Sequence, residues 1–280
     1  MTSIHRLRLA CGVAAAALLL GSGPARPAAC GHGPEGFAPW LASYKEEALR
    51  AGVSRAVIDR ALGGLTYDRS VIRHDRGQGV FHLSFEKFSR RLLTAGRIAR
   101  ARALLQRHAA LFHAIEQRYG VPGAVIVAIW GLETSFGADN GNFRTFSALA
   151  TLAYDCRRSE KFRAELLDAL RIVERREMTP EEMRGAWAGE IGQTQFMPSS
   201  YLKYAVDFNG DGRSDLIRDT ADALASTANF LAANGWRRGE GWDEGEPNFA
   251  ALLEWNQARV YSKTIARFAD ELSAGRRGGD

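Results

Sequence analysis

The chain has 280 residues, of which 46% are hydrophobic and 25% charged. That is the composition of a folded globular protein of one large or two small units, not of a disordered, collagenous or membrane-embedded chain. The 37 basic and 32 acidic residues give a net charge of +5, and no long basic stripe concentrates it, which disfavours nucleic acid as a partner.

Residues 1–29 read as a secretory signal. His5, Arg6 and Arg8 make a basic start, an apolar run extends from Leu9 to Leu20, and small residues follow from Gly21 to Ala29. The run is too short to span a bilayer, and no later stretch has about 18 uninterrupted apolar residues. The expected mature protein is exported, periplasmic and soluble. Without Arg6, Arg8 and Arg26 it carries 34 basic and 32 acidic residues, a net of +2 that suits an anionic polymer such as cell wall. Cys11 leaves with the signal, whereas Cys30 and Cys156 remain. An even count in an oxidising compartment points to a disulfide between them, which closes a long loop and contributes roughly 4–5 kcal/mol in the entropy model. Lipidation of Cys30, and with it outer-membrane anchoring, is the alternative. The residues ahead of it, Arg26-Pro27-Ala28-Ala29, lack the leucine usual in a lipidation signal.

Helical signals dominate the rest. Phe37, Trp40, Leu41, Tyr44 and Ala48 have helix spacing over 36–51, with Gly52 as the stop. Ser54 reads as the cap of a helix that ends at Gly63-Gly64. Residues 65–82 read as extended or loop. One strong helix is expected over 99–119, ended by Gly120, and Pro122 opens the next. Further helices are expected over 147–152, 159–177, 221–233 and 249–272. Thr179 and Pro180 look like a helix start. Strand alternation is scarce. The expected organisation is a signal (1–29), an N-terminal helical part (30–115) and a catalytic core (116–280).

The sharpest anomaly lies in Val125-Ile126-Val127-Ala128-Ile129-Trp130-Gly131-Leu132-Glu133. Ile126, Ile129, Trp130 and Glu133 share one helix face, so a carboxylate ends an apolar stripe. Burial disfavours the anion and raises the pKa above the ordinary value near 4.3. A carboxyl that keeps its proton near neutral pH is what cleavage of a glycosidic bond requires, because the leaving oxygen must be protonated. A salt bridge to a neighbouring arginine is the plainer alternative. The segment Trp187-Ala188-Gly189-Glu190-Ile191-Gly192-Gln193-Thr194-Gln195-Phe196-Met197-Pro198 combines glycines that permit close backbone approach with glutamines and aromatics suited to sugars. A buried turn with packed aromatics fits it equally. Trp255-Asn256, with Tyr261 beyond, is a weaker third segment.

Taken in order, Trp130-Gly131-Leu132-Glu133-Thr134, Ala150-Thr151-Leu152-Ala153-Tyr154 with Arg157-Arg158, Gly192-Gln193-Thr194-Gln195-Phe196-Met197-Pro198 and Trp255-Asn256 resemble the membrane-bound lytic transglycosylase B family and its soluble relatives, over about residues 36–272. The resemblance implies a mainly α fold, a lysozyme-like helical core with an added N-terminal helical subdomain. It implies cleavage of the β-1,4 bond between N-acetylmuramic acid and N-acetylglucosamine in peptidoglycan glycan strands without water, leaving a 1,6-anhydro ring. Glu133 then acts first as acid and next as base, and the substrate's N-acetyl group makes a second carboxylate unnecessary. Arg157 and Arg158 match cleft arginines suited to peptide-stem or lactyl carboxylates. Gln195, Phe196 and Met197 match a sugar-facing wall, and Asn256 and Tyr261 match residues that close the cleft. Trp255 stands where the family often has Tyr.

Asp207-Phe208-Asn209-Gly210-Asp211-Gly212-Arg213-Ser214-Asp215 resembles the start of an EF-hand loop, with oxygen donors at positions 1, 3, 5 and 9 and Gly at 6. Arg213 falls at position 7, where such loops use the backbone carbonyl. Position 12 is Arg218 rather than Glu, and the resemblance suggests Asp222, with Asp219 as the other candidate, for the last ligand. A structural calcium ion is expected and no catalytic cofactor; an Asx-rich turn without metal is the alternative. The expected protein is a monomer. The competing functions are a hydrolytic muramidase of the same fold and a non-catalytic peptidoglycan-binding protein.

Overall fold

The computed structural model of the protein describes residues 29–77 and 83–277. Of the expected signal, only Ala29 falls within them; the rest of that segment lies outside the described residues. The first helices form as their caps and stripes dictate. Helix α1 (Phe37–Arg50) buries Phe37, Trp40, Leu41, Tyr44 and Ala48. At the start of α2 (Arg55–Leu62) the Ser54 hydroxyl accepts the Val57 N–H at 3.4 Å.

The segment read as extended contains a helix, α3 (Arg69–Arg76). It buries only Val71 and Asp75, so it has almost no apolar period to read. The Asp68 carboxylate caps it by accepting N–H groups from Ser70 and Val71. Helix α4 (Phe85–Leu92) was likewise not expected. The long helix expected over 99–119 is two, α5 (Ala95–Arg107) and α6 (Ala109–Tyr119), which meet at His108. Their packing partners differ: α5 lies against α7 (Gly123–Thr134), whereas α6 leans chiefly on α11 (Thr220–Ala233).

Strand β1 (Phe143–Arg144) is followed by α8 (Thr145–Tyr154) and α9 (Ser159–Glu174), which pack extensively on each other. Strand β2 (Arg184–Gly185) pairs antiparallel with β1, with Phe143 opposite Gly185 and Arg144 opposite Arg184. The expected helix start at Thr179-Pro180 is only a turn. Thr179 and Glu182 make the reciprocal bonds of a capping box, but the chain turns into β2 instead of continuing as a helix. Helix α10 (Pro198–Tyr204) begins with its proline, and α11 follows. The final helical stretch is also divided, into α12 (Phe249–Trp255) and α13 (Arg259–Arg277). Asn256 is extended between them, its Oδ1 accepts the Ala258 N–H at 2.9 Å, and the Ser262 hydroxyl donates to the carbonyls of Leu252 and Asn256.

The described residues thus hold thirteen helices and one two-residue ladder, a mainly α protein. No helix among them is long and apolar enough to cross a membrane. Two buried clusters organise them. One gathers residues of α1, α2, α8, α9 and α10. The other gathers residues of α5, α6, α7, α12 and α13. Helix α11 contributes to both, and Phe230 and Trp255 pack against both. Each cluster draws residues from both sides of position 115.

Cys30 and Cys156 form a disulfide, with 5.0 Å between Cα atoms, that ties the start of the described chain to the turn after α8. The Gly31 N–H donates to the Tyr154 carbonyl at 2.9 Å beside it. Reduction, or the paired change Cys30→Ser and Cys156→Ser, is expected to lower unfolding free energy by up to about 4–5 kcal/mol, read as a lower denaturant midpoint with an unchanged native circular dichroism spectrum.

Candidate active site

Helix α7 is enclosed on nearly every side. Residues 123–131 and Thr134 are all buried, so the single stripe expected from Ile126, Ile129 and Trp130 widens to a whole apolar cylinder. Pro122 sits at the cap rather than in the first turn. At the other end the helix runs to Thr134 and is capped at Ser135. Ser135, Phe136 and Gly137 have φ of 51°, 63° and 73°. Two consecutive non-glycine residues in the left-handed region each cost on the order of 1–3 kcal/mol. The surroundings impose the turn. The Thr134 hydroxyl donates to the Gln193 carbonyl at 2.6 Å and accepts the Gly137 N–H at 2.9 Å. The Arg97 guanidinium donates to the Ser135 hydroxyl at 3.4 Å, and that of Arg100 lies 5.2 Å from the Phe136 ring centre.

Glu133 stands just before this turn. Burial by the packed protein around it pushes its carboxyl up to about 7, against partial opposition from hydrogen bonds donated by Trp255 and Tyr261; the nearby Glu190 charge adds to the rise. The Trp255 Nε1–H donates to Glu133 Oε1 at 3.0 Å. No cation is among the groups that act on Glu133, so the arginine salt bridge is not its environment. Tyr261 is buried, and burial followed by the Glu133 charge drives its hydroxyl far above the usual phenol range. It is therefore held as a neutral O–H donor.

The carboxyl faces a cavity of about 530 Å³ at the seam between the two cores. Phe196, Phe230 and Trp255 form one wall, with ring centres 5.1–6.2 Å apart in edge-on contacts. Met197 and Asn256 also line it. Gln195 lines it from a left-handed backbone, φ 57°. Its side chain accepts the Ala186 N–H at 3.2 Å and donates to the carbonyls of Asn140 and Gly192. The gap between α12 and α13 places Trp255 and Asn256 here, so the unforeseen helix break is itself part of the site. The structure brings Glu133, Gln195, Phe196, Met197 and Asn256 to one cavity, with Tyr261 behind Glu133.

Arg157 and Arg158 are elsewhere. Both guanidinium groups, with that of Arg76, converge on the buried Asp75 of α3. Burial works to raise the Asp75 pKa, but the hydrogen bonds from Arg157 and Arg158 outweigh it and hold the carboxyl below its usual value. The two arginines open on a neighbouring hollow beside the disulfide, which shares Lys161 with the Glu133 cavity.

The loop from Asp207 to Asp215 is folded on its own amides. Asp207 accepts N–H groups from Gly210 and Gly212, each at 2.7 Å, and Asp211 accepts that of Arg213. Asn209 accepts the Asp211 N–H, and Asp215 those of Ile217 and Arg218. Asp222 reaches in from α11 to accept from Phe208, Asn209 and Asp215. Asp219 caps α11 and accepts from the Asn209 amide at 2.8 Å. The donors are all oxygen, the chemistry of a hard cation. No group of three His, Cys, Asp or Glu side chains among the described residues converges on a metal position.

Residues 36–245 match the family described as transglycosylase SLT domain. The chain belongs to this family. Membrane-bound lytic murein transglycosylase B of Escherichia coli K12 is 46% identical over 125 residues, which are 44% of this chain and 34% of that protein. The match thus spans about a third of that relative. SltB3 of Pseudomonas aeruginosa, solved in complex with NAG-NAM-pentapeptide, superposes with a TM-score of 0.81 at 31% identity, over 86% of this chain and 80% of that one. The Escherichia coli lytic transglycosylase Slt35, solved in complex with calcium, shares the fold with a TM-score of 0.75 at 24% identity, over 90% and 97% of the two chains. The lysozyme-like helical fold implied by the sequence motifs is therefore the fold of this SLT-domain chain.

Several buried or cavity-lining acids escaped the sequence reading, among them Asp75, Glu165 and Glu190. Asp75 sits in a short polar helix. Glu165 of α9 accepts both the Ser199 N–H and hydroxyl, fixing the start of α10. Glu190 lines the cavity with Glu133. Only Glu190 carried a local signal, a lone acid between glycines inside a motif already singled out.

Burial of Glu133 has a consequence for stability. Its folded pKa, about 7, exceeds its unfolded value. Its contribution is therefore full below the unfolded pKa and is lost as pH rises through about 7. The Glu133→Gln variant is expected to match wild type near pH 5 and to be more stable at pH 8.5, by at most about 3 kcal/mol, measured by urea unfolding at both pH values.

Proposed function

We propose that the protein is a periplasmic lytic transglycosylase, active as a monomer, that cleaves peptidoglycan glycan strands between N-acetylmuramic acid and N-acetylglucosamine. One observation carries the reading. Glu133 holds a proton near neutral pH, has no cation upon it, and faces a cavity with an aromatic wall. Its protonated carboxyl gives its proton to the glycosidic oxygen as the bond to the anomeric carbon breaks. The substrate's own N-acetyl oxygen stabilises the positive centre. The carboxylate, still hydrogen-bonded by Trp255, then takes the proton of the muramic acid 6-hydroxyl as that oxygen attacks the anomeric carbon. The 1,6-anhydro ring closes and Glu133 is protonated again.

Gln195, Phe196, Met197 and Asn256 are the proposed sugar contacts, and Tyr261 is the hydroxyl that holds Glu133 in place. Arg157 and Arg158 are proposed to meet substrate carboxylates at the adjoining hollow, after meeting the charge of Asp75. The division into an N-terminal helical part, 30–115, and a catalytic core, 116–280, is proposed as one of role. It is supported by the cavity's lining, all of which comes from residues 133–257. No catalytic cofactor enters the chemistry, and nucleic acid is not a proposed partner.

A hydrolytic muramidase is the second reading, and Glu190 is the observation that favours it, because a second carboxylate in the cavity offers a base for water. Mass spectrometry of muropeptides decides. Wild type is expected to release anhydro products lighter by one water than hydrolytic ones, and Glu133→Gln to fall by at least about 10²-fold. The wild-type rate is expected to decline as pH rises through about 7, as Glu133 loses its proton.

We also propose that the loop takes calcium, held by Asp207, Asn209, Asp211, the Arg213 carbonyl, Asp215 and Asp222. The spacing and the all-oxygen donor set support this reading. The ion's role is to hold the loop, not to react. Excess chelator is expected to lower the melting temperature, with recovery on adding calcium but not magnesium; an identical melting curve with chelator would remove the ion from the account.

A further inference from the structure

Glu190 reaches the cavity by tight local construction. It follows β2, where the Gly185 Cα lies against the Glu190 carbonyl; a side chain at 185 would collide with it. The next residue, Ile191, exchanges backbone hydrogen bonds with Phe196 at 2.7 and 2.9 Å, so the segment doubles back rigidly. The Glu190 carboxylate accepts the Ala188 N–H at 3.0 Å and lines the same cavity as Glu133. The charged groups around this pair come from several elements. Lys161 and Glu165 project from α9, Arg158 precedes α9, and Glu254 projects from α12. Both Glu165 oxygens are committed to Ser199, and Glu254 is exposed.

We propose that Glu190 is a positioning residue for the reaction of Glu133: its negative charge, fixed across the shared cavity, keeps the proton on Glu133 until a glycosidic oxygen takes it. This rests on the reading of Glu133 as the acid.

The two carboxyls compete for one proton, and their surroundings decide where it sits. Burial raises the affinity of both for it. Lys161 and Arg158 stabilise the anion at Glu190. Glu133 has only the neutral donors of Trp255 and Tyr261, and it feels the negative charge of Glu190. The proton therefore resides on Glu133. After the proton is given to the leaving oxygen, two anions face one cavity. Their repulsion makes Glu133 a stronger base for the second proton transfer, so one fixed charge serves both halves of the cycle.

The test uses the full mature chain and needs no substrate. The Trp255 indole N–H is bonded to Glu133 Oε1, so its NMR resonance reports the titration of that carboxyl, with Glu133→Gln as the control that removes the transition. Glu190→Gln keeps an acceptor for the Ala188 N–H but loses the charge. Its midpoint is expected to move down by roughly half to one unit, while Glu190→Asp, which keeps the charge, stays nearer to wild type. An unmoved midpoint in folded Glu190→Gln overturns the proposal, as does an equal shift in both variants, which would mark a structural effect. In the muropeptide assay the alkaline limb of kcat/KM is expected to shift with the NMR midpoint. A wild-type protein that releases no product at any pH would sink the functional reading, yet the resonance would still decide the role of Glu190.

Discussion

The hydrogen bond from the Trp255 indole to the Glu133 carboxyl joins the end of α7 to the end of α12, and the rest of the site is arranged around it. An indole N–H can only donate, so it orients one carboxyl oxygen without ever taking its proton. It favours the anion modestly, whereas enclosure in packed protein favours the acid more strongly. The balance leaves a group able to exist in either state near neutral pH, which the proposed succession of acid and base roles requires. A guanidinium in the place of the indole would favour the anion outright and remove the acid.

This balance needs walls that do not move. Glu133 lies where two buried clusters meet, and the aromatic rings of Phe230 and Trp255 belong to the edges of both. The Thr134 hydroxyl fastens the helix end to the Gln193 carbonyl, two residues before the strained Gln195. One tie thus links the acid to the segment that carries the wall of the cavity. Backbone strain at Ser135, Phe136 and Gln195 is concentrated within this tie, and the surrounding packing sustains it.

How much of this could be read from residues alone follows the range of the forces involved. Helices with a strong apolar period, such as α1, α9 and α11, were legible because that period is local. Helices α3 and α4 were not, since α3 rests on the Asp68 cap and on arginines from beyond α8. The breaks at His108 and Asn256 were invisible because apolar spacing runs straight across them; only tertiary partners require the chain to turn. Glu133 stood out as an acid within an apolar run. The pairing of Cys30 with Cys156 followed from their even number. Asp75 gave no comparable sign, because burial of an acid depends on what folds over it, and nothing in Arg73-His74-Asp75-Arg76 records that; Glu190 had only its place between glycines in a motif already singled out.

The near-full enclosure of α7 restricts how this chain can vary. A surface helix tolerates an added or lost residue by letting its ends drift into solvent. Here Pro122 fixes one end and the left-handed turn at Ser135 the other, with protein on nearly every side between them. Each residue of an α-helix advances the face by about 100°. A single insertion or deletion within 123–132 would swing the acid away from the indole and present an aliphatic side chain to the groove. Substitutions of similar volume fit along this helix, whereas a change in its length would undo the placement on which the proposed chemistry of Glu133 rests.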